Sequence, residues 1–549
     1  MSSSLVVGTV VTSPEGPSNV RAEAVLLDAG RAGKRLVKGQ FCCVPTPRGL
    51  VLANVVEIRS VNSYFENPQT VKEFERDGGR LGAKFPVGAW EYQVGVLQLL
   101  GRFDWTPGPA PLDDPDSWES RTDWKVDRVG FPPSPGDRVY LVPPTVLVKF
   151  LGLDLERGVH LGQLREGGLP AKFSLHRTFN RHVAVLAVSG AGKSYLVGVL
   201  VEELLLRRPE HGRPAVVVFD VHGEYAGMAS GAAYEGAPVD LSSRVDLVDA
   251  VFCQFAVPLL SPWELQRFET NMSPAQVREL AQAFQEVRKA KGDQFDLVDL
   301  MDHVAGNEAI NQKTKEALNG WLYGLSRTAL FAATENPNVA SLLKPGRAVI
   351  FDLSGFTSLK KRQMVVHYFL NRMFQLRRQG AVCPFVVVIE EAHQFVPEGV
   401  GSDRAISRSI VETVAREGRK FFAQLCLVSQ RPVRLSVTAL SQCNTHVIMR
   451  LVNPYDLDHV RASSEYLTRE VLGAVSSLPT GECLVLGNAV NYPVFVKVRR
   501  RLARDARQDQ TLEREAAKYD PAARPVVDAS AVAGDVRVEP VFEGGVARD

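Results

Sequence analysis

Two glycines, a lysine and two serines lie close together in SGAGKS, residues 189–194. Backbone N–H groups of such a loop, at the start of a helix, can hold a phosphate, whose charge the helix dipole favours. The full pattern is G-x-x-x-x-G-K-[ST], and its opening position here is Ala187, where we expect a small side chain to be tolerated. The sequence predicts an ATP site, with Lys193 on the β- and γ-phosphates and Ser194 on Mg²⁺. The predicted nucleotide-binding residues are Ser189, Gly190, Ala191, Gly192, Lys193, Ser194 and Tyr195.

Two adjacent acids follow the apolar run at residues 385–389. Such a run predicts a buried strand, and ligands of open α/β sheets bind at the carboxyl ends of strands. Glu390 is the predicted metal-shell residue, and Glu391 is the predicted general base that polarises the attacking water. Glutamate in place of the usual aspartate at position 390 adds one methylene, so we expect its contact with the metal to pass through a water.

A glutamine and two arginines complete the candidate catalytic set. Gln430 ends the predicted strand in AQLCLVSQRP, where a neutral amide can sense the γ-phosphate; the alternative is a plain turn residue. Arg416 and Arg419 lie on a helix predicted from 403 to 422. A cationic stripe is most often a solvated face, but from this position an arginine could also reach a neighbouring subunit's γ-phosphate. Both interpretations stay open.

A further polar cluster, Asp220, His222, Glu224 and Tyr225, follows another apolar run. Its spacing is not that of a zinc site. We predict a loop that shapes the nucleotide site or a subunit contact.

Continuous apolar runs must position these residues. Six of them, HVAVLAV, PAVVVFD, RAVIFDL, PFVVVIEE, QLCLVSQ and THVIMRL, alternate with helical segments from residue 181 onward. Strands buried on both faces indicate a parallel sheet in an α/β domain. The segment 262–335 has apolar residues at helical spacing, including Leu280, Phe284 and Val287, and predicts a helical insertion. The predicted motor domain covers residues 166–500.

Short β-branched runs between Gly and Pro turns precede the motor and predict a small β-barrel at residues 1–165. Its runs FCCVPT, VEIRSVNSYF and VGVLQLLGRF offer more apolar surface than an isolated barrel needs, so we predict a packing and docking face there. Residues 501–549 are rich in Ala, Asp, Arg and Pro and predict an extended or partly disordered arm.

Composition limits the functional classes. The net charge of +2 gives no cationic field over the whole surface, so contacts with nucleic acid must come from local patches or a lined channel. The seven cysteines form no C-x-x-C pair and predict buried thiols in a reducing compartment. No apolar run reaches the roughly 18 residues of a membrane span, so we expect a cytoplasmic protein.

The ordered set SGAGKS, DVHGEY, VVVIEEAHQF, REGRKFFAQLCLVSQRP, LSQCNTHVIMRL and LPTGECLVLGNAV resembles the HerA family of the FtsK-HerA superfamily. The resemblance covers the chain to about residue 500. It implies a HAS-barrel, a RecA-like P-loop motor, and a homo-hexameric ring that encircles double-stranded DNA. It also implies work with a NurA-type nuclease in end resection for recombinational repair. By motif match, Lys193, Glu391, Gln430 and Arg416 or Arg419 carry the catalytic roles.

Two other functions fit the same motifs. One is a conjugation- or secretion-type ATPase that pumps DNA or protein through a membrane. The other is a nucleotide-gated binding module without turnover, which Glu391 beside Glu390 disfavours because a switch needs no strong base.

Overall fold

The computed structural model describes residues 5–13, 16–27, 36–76, 78, 80, 85–104, 115–119, 125–230, 239–399, 405–463, 469–503 and 512–519. Within them, alternating runs at the N-terminus form one β-sheet, and continuous apolar runs form a second, larger one. Across these residues, no helix combines the length and apolar character that crossing a membrane requires.

The first sheet is a closed antiparallel barrel, which confirms the predicted fold of this part. Six strands follow one another in the order β1-β7-β3-β4-β5-β2, and the barrel closes because β2 pairs with both β1 and β5. The short β6 adds to β5 from outside. The strands are β1 (Val6–Val11), β2 (Arg21–Leu26), β3 (Phe41–Thr46), β4 (Gly49–Asn62), β5 (Glu91–Asp104), β6 (Val126–Asp127) and β7 (Arg138–Leu141).

The second sheet has eleven strands in the order β12-β15-β11-β16-β17-β10-β18-β19-β20-β8-β9. The pairs from β12 to β18 are parallel, as the six apolar runs predict, and those from β18 to β9 are antiparallel. The strands are β8 (Val159–Leu164), β9 (Pro170–Phe173), β10 (His182–Leu186), β11 (Ala215–Asp220), β12 (Val245–Asp249), β15 (Ala348–Asp352), β16 (Phe385–Ile389), β17 (Ala423–Ser429), β18 (Cys443–Ile448), β19 (Glu482–Gly487) and β20 (Val494–Val498). This RecA-like P-loop sheet carries the candidate site at the carboxyl edge of its parallel strands.

Helices connect and cover the strands. They are α1 (Pro68–Glu75), α2 (Pro115–Glu119), α3 (Pro144–Leu151), α4 (Leu175–Thr178), α5 (Lys193–Leu206), α6 (Pro262–Phe268), α7 (Pro274–Lys291), α8 (Leu297–Gly306), α9 (Gln312–Ser326), α10 (Val339–Leu342), α11 (Leu359–Arg378), α12 (Arg408–Phe421), α13 (Val437–Ser441), α14 (Pro454–Ser463), α15 (Arg469–Ser476) and α16 (Leu512–Tyr519).

The helical insertion consists of α6 to α9. Capping boxes start three of these helices, at Ser261, Ser273 and Asp296, because each side chain satisfies an amide that the first turn leaves free. Leu280, Phe284 and Val287 are buried, as their helical spacing predicts. A two-stranded pair, β13 (Phe255–Ala256) with β14 (Phe331–Ala332), joins the two ends of the insertion.

The structure buries one part of the apolar surface that the sequence predicts as a packing and docking face, and it leaves another part exposed. All six residues of β3 are buried, and so are seven of the fourteen residues of β5, whereas the second half of β4 is half-buried or exposed. Part of the buried surface packs toward the motor: Phe103 contacts Phe150 of α3 edge to face, and Phe150 stacks on Tyr492 before β20. Exposed aromatic side chains of this region include Phe65, Phe85, Trp90, Tyr92 and Phe131.

The predicted boundaries at residues 165 and 500 can be compared with the elements of the structure. The limit at residue 165 falls after β8, which pairs with β20 in the larger sheet. Of the predicted C-terminal arm, residues 501–503 and α16 belong to the described part, and residues 504–511 and 520–549 lie outside it.

Candidate nucleotide site

The phosphate loop connects β10 to α5. Gly190 and Gly192 have φ values of 75° and 100°, which L side chains rarely adopt, so these two positions require glycine. Ala187 is buried and has a negative φ, and its methyl group is compatible with the bend. Within the described residues, the amides of Gly190, Gly192, Lys193 and Ser194 donate to no protein acceptor. Their arrangement leaves N–H groups for a phosphate.

Lys193 contacts both predicted acids. Its Nζ lies 2.6 Å from Oε2 of Glu390 and 3.2 Å from Oε1 of Glu391, and all three side chains are buried. Burial lowers the pKa of Lys193, but the two carboxylates more than offset this, so its pKa rises above the ordinary value. β16 therefore delivers the two acids to the phosphate loop, as their position in the sequence predicts.

Glu391 lies in a strained backbone conformation. Its φ and ψ are 48° and 44°, in the left-handed region that non-glycine residues avoid. Its buried Oε2 has no hydrogen-bond partner among the described residues. His393 Nδ1 lies 3.3 Å away, but burial lowers the pKa of this histidine to about 4, so the ring is neutral near pH 7 and the contact is not an ion pair. One carboxylate oxygen is thus available to a further donor.

These observations fit a nucleotide and its magnesium ion. The free amides match phosphate oxygens, and Glu390 and Glu391 are hard oxygen donors of the kind Mg²⁺ prefers. The unpartnered Oε2 of Glu391 fits a water or hydroxyl donor. Ser194 is partly exposed at the first turn of α5, on the same side as the loop.

Gln430 directly follows β17, and β17 lies between β10 and β16. The strand order thus sets Gln430 between the phosphate loop and the two acids. Ser429, the last residue of β17, contacts His393 Nδ1 at 3.2 Å, and its carbonyl accepts the amide of Ala187 at 3.2 Å. The ends of β10, β16 and β17 are therefore linked by direct contacts.

Arg416 and Arg419 lie away from the phosphate loop of their own chain. Both are exposed on α12, and Arg416 has one ion pair, at 3.8 Å from Glu412. The carbonyl of Ala415 accepts a hydrogen bond from His182 Nε2 at 2.8 Å, and His182 is the first residue of β10. The part of α12 around Ala415 therefore lies at the amino edge of the sheet. The length of β10 separates this edge from the carboxyl edge, where the phosphate loop lies, by about 13 Å.

Tyr225 is a site residue whose role the sequence did not reveal. Its hydroxyl donates to Oε1 of Glu390, and its amide donates to Oδ2 of Asp220 at 2.9 Å. Burial raises the pKa of Asp220 to about 6, although three backbone amides act in the opposite direction. The predicted loop at 220–225 thus does shape the site, through Tyr225. DVHGEY signals such a loop, but no local pattern predicts which acid its tyrosine reaches.

The C-terminal segment after β20 also contacts the site. The amide of Arg501 donates to the hydroxyl of Tyr195 at 2.7 Å, and fully buried Glu202 of α5 accepts the amides of Leu502 and Ala503 at 3.0 and 2.8 Å. Gly481 donates its amide to the carbonyl of Ala191 at 3.2 Å. Tyr195, predicted to bind nucleotide, is therefore also held by the segment that leaves the motor.

Several known proteins are similar to this chain in sequence. A model of the HerA helicase central domain matches residues 159–373. The DNA double-strand break repair helicase HerA of Pyrococcus furiosus is 28% identical over 529 residues, which cover 84% of this chain and 87% of that protein. Its counterpart from Sulfurisphaera tokodaii is 27% identical over 404 residues, 69% of this chain and 76% of that protein. The chain is thus similar to HerA helicases over most of its length.

These matches confirm the resemblance to HerA proteins drawn from the motifs, and the chain is an ATPase of the helicase class. Among solved structures, VirB4 of Thermoanaerobacter pseudethanolicus is 16% identical and covers 63% of this chain and 98% of its own, with a TM-score of 0.48.

Proposed function

We propose that this chain is an ATP-driven translocase and helicase on double-stranded DNA. The contact of Lys193 with Glu390 and Glu391 beside free loop amides carries the proposal, because a motor needs both phosphate binding and a base for hydrolysis. The names of its relatives, DNA double-strand break repair helicases, support DNA as the substrate. By the same family relation, the chain forms a homo-hexameric ring and works with a NurA-type nuclease in end resection for recombinational repair.

The proposed roles follow from the placement of each side chain. Lys193 binds the β- and γ-phosphates, the loop from Ser189 to Tyr195 holds the nucleotide, and Ser194 with Glu390 holds Mg²⁺. When bound, Mg²⁺ supplies positive charge to the phosphates. Glu391 takes a proton from the attacking water. Its Oε2, which has no hydrogen-bond partner among the described residues, is the oxygen available to accept that proton.

Two further roles concern the response to hydrolysis. Gln430 lies where its amide can contact the γ-phosphate, at the end of the strand between the loop and the acids. Arg416 or Arg419 acts on the phosphate of a neighbouring subunit, because the amino edge of the sheet is remote from the chain's own loop.

The experiment that tests the proposal measures ATP hydrolysis by the full chain with and without linear duplex DNA, together with the mass of the assembly. We expect stimulation by DNA, a six-fold mass, and loss of hydrolysis in Lys193→Ala because the charge on the phosphates is lost. Lys289→Ala, at an exposed position in the helical insertion, is the matched control and keeps wild-type turnover. A rate of ATP hydrolysis that is the same with and without DNA would contradict the proposed motor function. A wild-type rate in Lys193→Ala would show that this loop does not take part in hydrolysis.

A further inference from the structure

Both carboxylate oxygens of Glu390 have separate partners. Oε2 contacts Lys193 Nζ at 2.6 Å, and Oε1 accepts the hydroxyl of Tyr225. The backbone of Glu390 is held too, since its amide donates to the carbonyl of Phe219 at 3.2 Å. Glu390 and Tyr225 are both buried, so water does not replace the tyrosine as a donor to Oε1.

The loop after β11 fixes the position of Tyr225. Asp220 accepts the amide of Tyr225 on Oδ2, and on Oδ1 it accepts the amides of His222 and Gly223 at 3.1 and 2.9 Å. Gly223 has a φ of 70°, which permits the tight return of the chain. Since β11 and β16 are neighbours in register, this return brings the ring of Tyr225 against the end of β16.

The length of the glutamate explains why a restraint is useful here. A glutamate side chain has one more rotatable bond than an aspartate. If the side chain is already held in one conformation before the metal binds, less conformational entropy is lost on binding. A neutral hydroxyl donor fixes one oxygen without cancelling the charge of the carboxylate, as a second cation would.

We propose that Tyr225 is a positioning residue for Glu390. Its hydroxyl holds Oε1, so that Oε2 faces Lys193 and the phosphate loop, where it serves the magnesium shell. The inference rests on the proposed role of Glu390, and it adds a residue that acts through this glutamate without touching the nucleotide.

The test compares Tyr225→Phe with wild type in the full chain. ATP affinity is measured by calorimetry with Mg²⁺ and again with a chelator, and turnover is measured separately. We expect the gain in ATP affinity due to Mg²⁺ to fall about tenfold, since the loss of a hydrogen bond to a charged group has an effect of this order. The affinity without Mg²⁺ stays at the wild-type value, and kcat falls by a similar factor.

Tyr368→Phe is the matched control. Tyr368 is also a buried tyrosine whose hydroxyl contacts a carboxylate, at 3.2 Å from Oε2 of Glu335, but it belongs to α11. We expect this variant to change the thermal midpoint and to leave the effect of Mg²⁺ on ATP affinity unchanged. An equal loss in both tyrosine variants would overturn the inference, because it would indicate general destabilisation.

A second background separates positioning from packing. The carboxylate of Glu390→Asp is one methylene too short to reach the tyrosine, so adding Tyr225→Phe to it should have no further effect on Mg²⁺-dependent affinity. The same loss in both backgrounds would overturn the inference. Glu390→Gln tests the proposed role of Glu390 separately. If this variant keeps the wild-type effect of Mg²⁺ on ATP affinity, the proposed role of Glu390 is wrong. If Glu390→Gln loses that effect while Tyr225→Phe keeps it, only the inference about Tyr225 is wrong.

Discussion

Glu391 combines three unusual properties at the scale of a single residue: left-handed backbone, burial, and an oxygen without a hydrogen-bond partner. Strain of this kind costs of order 1–3 kcal/mol and persists where the surrounding structure enforces it. In this chain β16 and the contact with Lys193 enforce it. The backbone geometry therefore supports a functional role for Glu391 independently of its place in the motif.

Replacing this base tests the role directly. Glu391→Gln keeps the shape of the side chain, so ATP binding is retained, but the amide cannot take a proton from water. We expect kcat to fall about 10²- to 10⁴-fold with ATP affinity near the wild-type value, measured by phosphate release and equilibrium binding. Glu417→Gln, at an exposed position of α12, is the control and keeps wild-type turnover. Unchanged turnover in Glu391→Gln would move the base to another residue, Glu390 first.

Motif spacing predicts which residues of the site come together when the motif itself contains the geometry. Lys193 at the start of a helix and two glutamates at the end of a buried strand are of this kind, and the structure brings them into contact. Tyr225 and His393 are different, because their contacts depend on the path of a loop and on strand order. No spacing rule specifies that a tyrosine 165 positions before Glu390 donates to it.

At the scale of elements, the hydrophobic pattern of the sequence predicts which segments form strands better than it predicts the order of the strands in the sheet. The six continuous apolar runs predict the central strands because strands buried on both faces can contain few polar residues. The antiparallel strands β8, β9 and β20 were not assigned to this sheet, since short alternating runs look the same in a barrel and at a sheet edge. Phe103 of the barrel packs on Phe150 of α3, which stacks on Tyr492 before β20, and composition does not encode such long-range contacts.

His182 joins three elements and gives the fold a pH dependence. Its Nδ1 accepts the amide of Leu425 in β17 at 2.9 Å, and its Nε2 donates to Ala415 in α12, so the ring is neutral. Burial, with a smaller effect of Arg181, lowers the pKa of His182 from its ordinary value of 6.5 to about 4. The unfolded chain therefore binds more protons between these values, and stability, complete above pH 6.5, is lost as the pH falls toward 4.

Urea unfolding at pH 7 and pH 5 measures this effect. His182 alone should contribute a decrease of about 2 kcal/mol in the unfolding free energy across this interval. His182→Gln should be less stable at pH 7 but show a smaller decrease between the two pH values. His176→Gln, at an exposed position, is the control and keeps the wild-type decrease. A pH dependence that is the same in His182→Gln and wild type would contradict the assignment.

At the scale of the whole molecule, the barrel and motor share a packed interface, which determines where a deletion can be made. Cutting at residue 165 removes β8 from the larger sheet and leaves β20 unpaired on that side. A fragment from residue 143 keeps β8 and α3. We expect this fragment to bind ATP but to assemble poorly and not to recruit a NurA-type nuclease, as judged by mass and by co-sedimentation. Full-strength nuclease binding by the fragment would place docking on the motor or the arm.

The proposed ring would determine what Arg416 and Arg419 do. The amino end of β10 contacts the carboxyl half of α12 through His182 and Ala415, so Arg416 and Arg419 lie near the sheet edge opposite their own phosphate loop. In a closed ring, a head-to-tail interface sets that edge of one subunit against a different surface of the next. An arginine that serves catalysis from there must serve the neighbour.

Mixed rings test this arrangement. One parent carries Lys193→Ala and the other carries Arg416→Ala with Arg419→Ala, and each alone should be nearly inactive. In a random equal mixture of a head-to-tail ring, about one quarter of the interfaces combine an intact loop with an intact arginine pair. We therefore expect ATP hydrolysis to reappear on mixing, at a level below wild type, with the mixed composition confirmed by native mass spectrometry.

Lys420→Ala, which changes a neighbouring exposed cation on the same helix, is the matched control. Alone it should retain turnover, because loss of a general positive charge on this face does not remove a contact to the phosphate. If confirmed mixed rings stay inactive, the arginines act within their own chain. If the double arginine variant is as active as Lys420→Ala, they are solvated surface charges, which is the other interpretation that the cationic stripe leaves open.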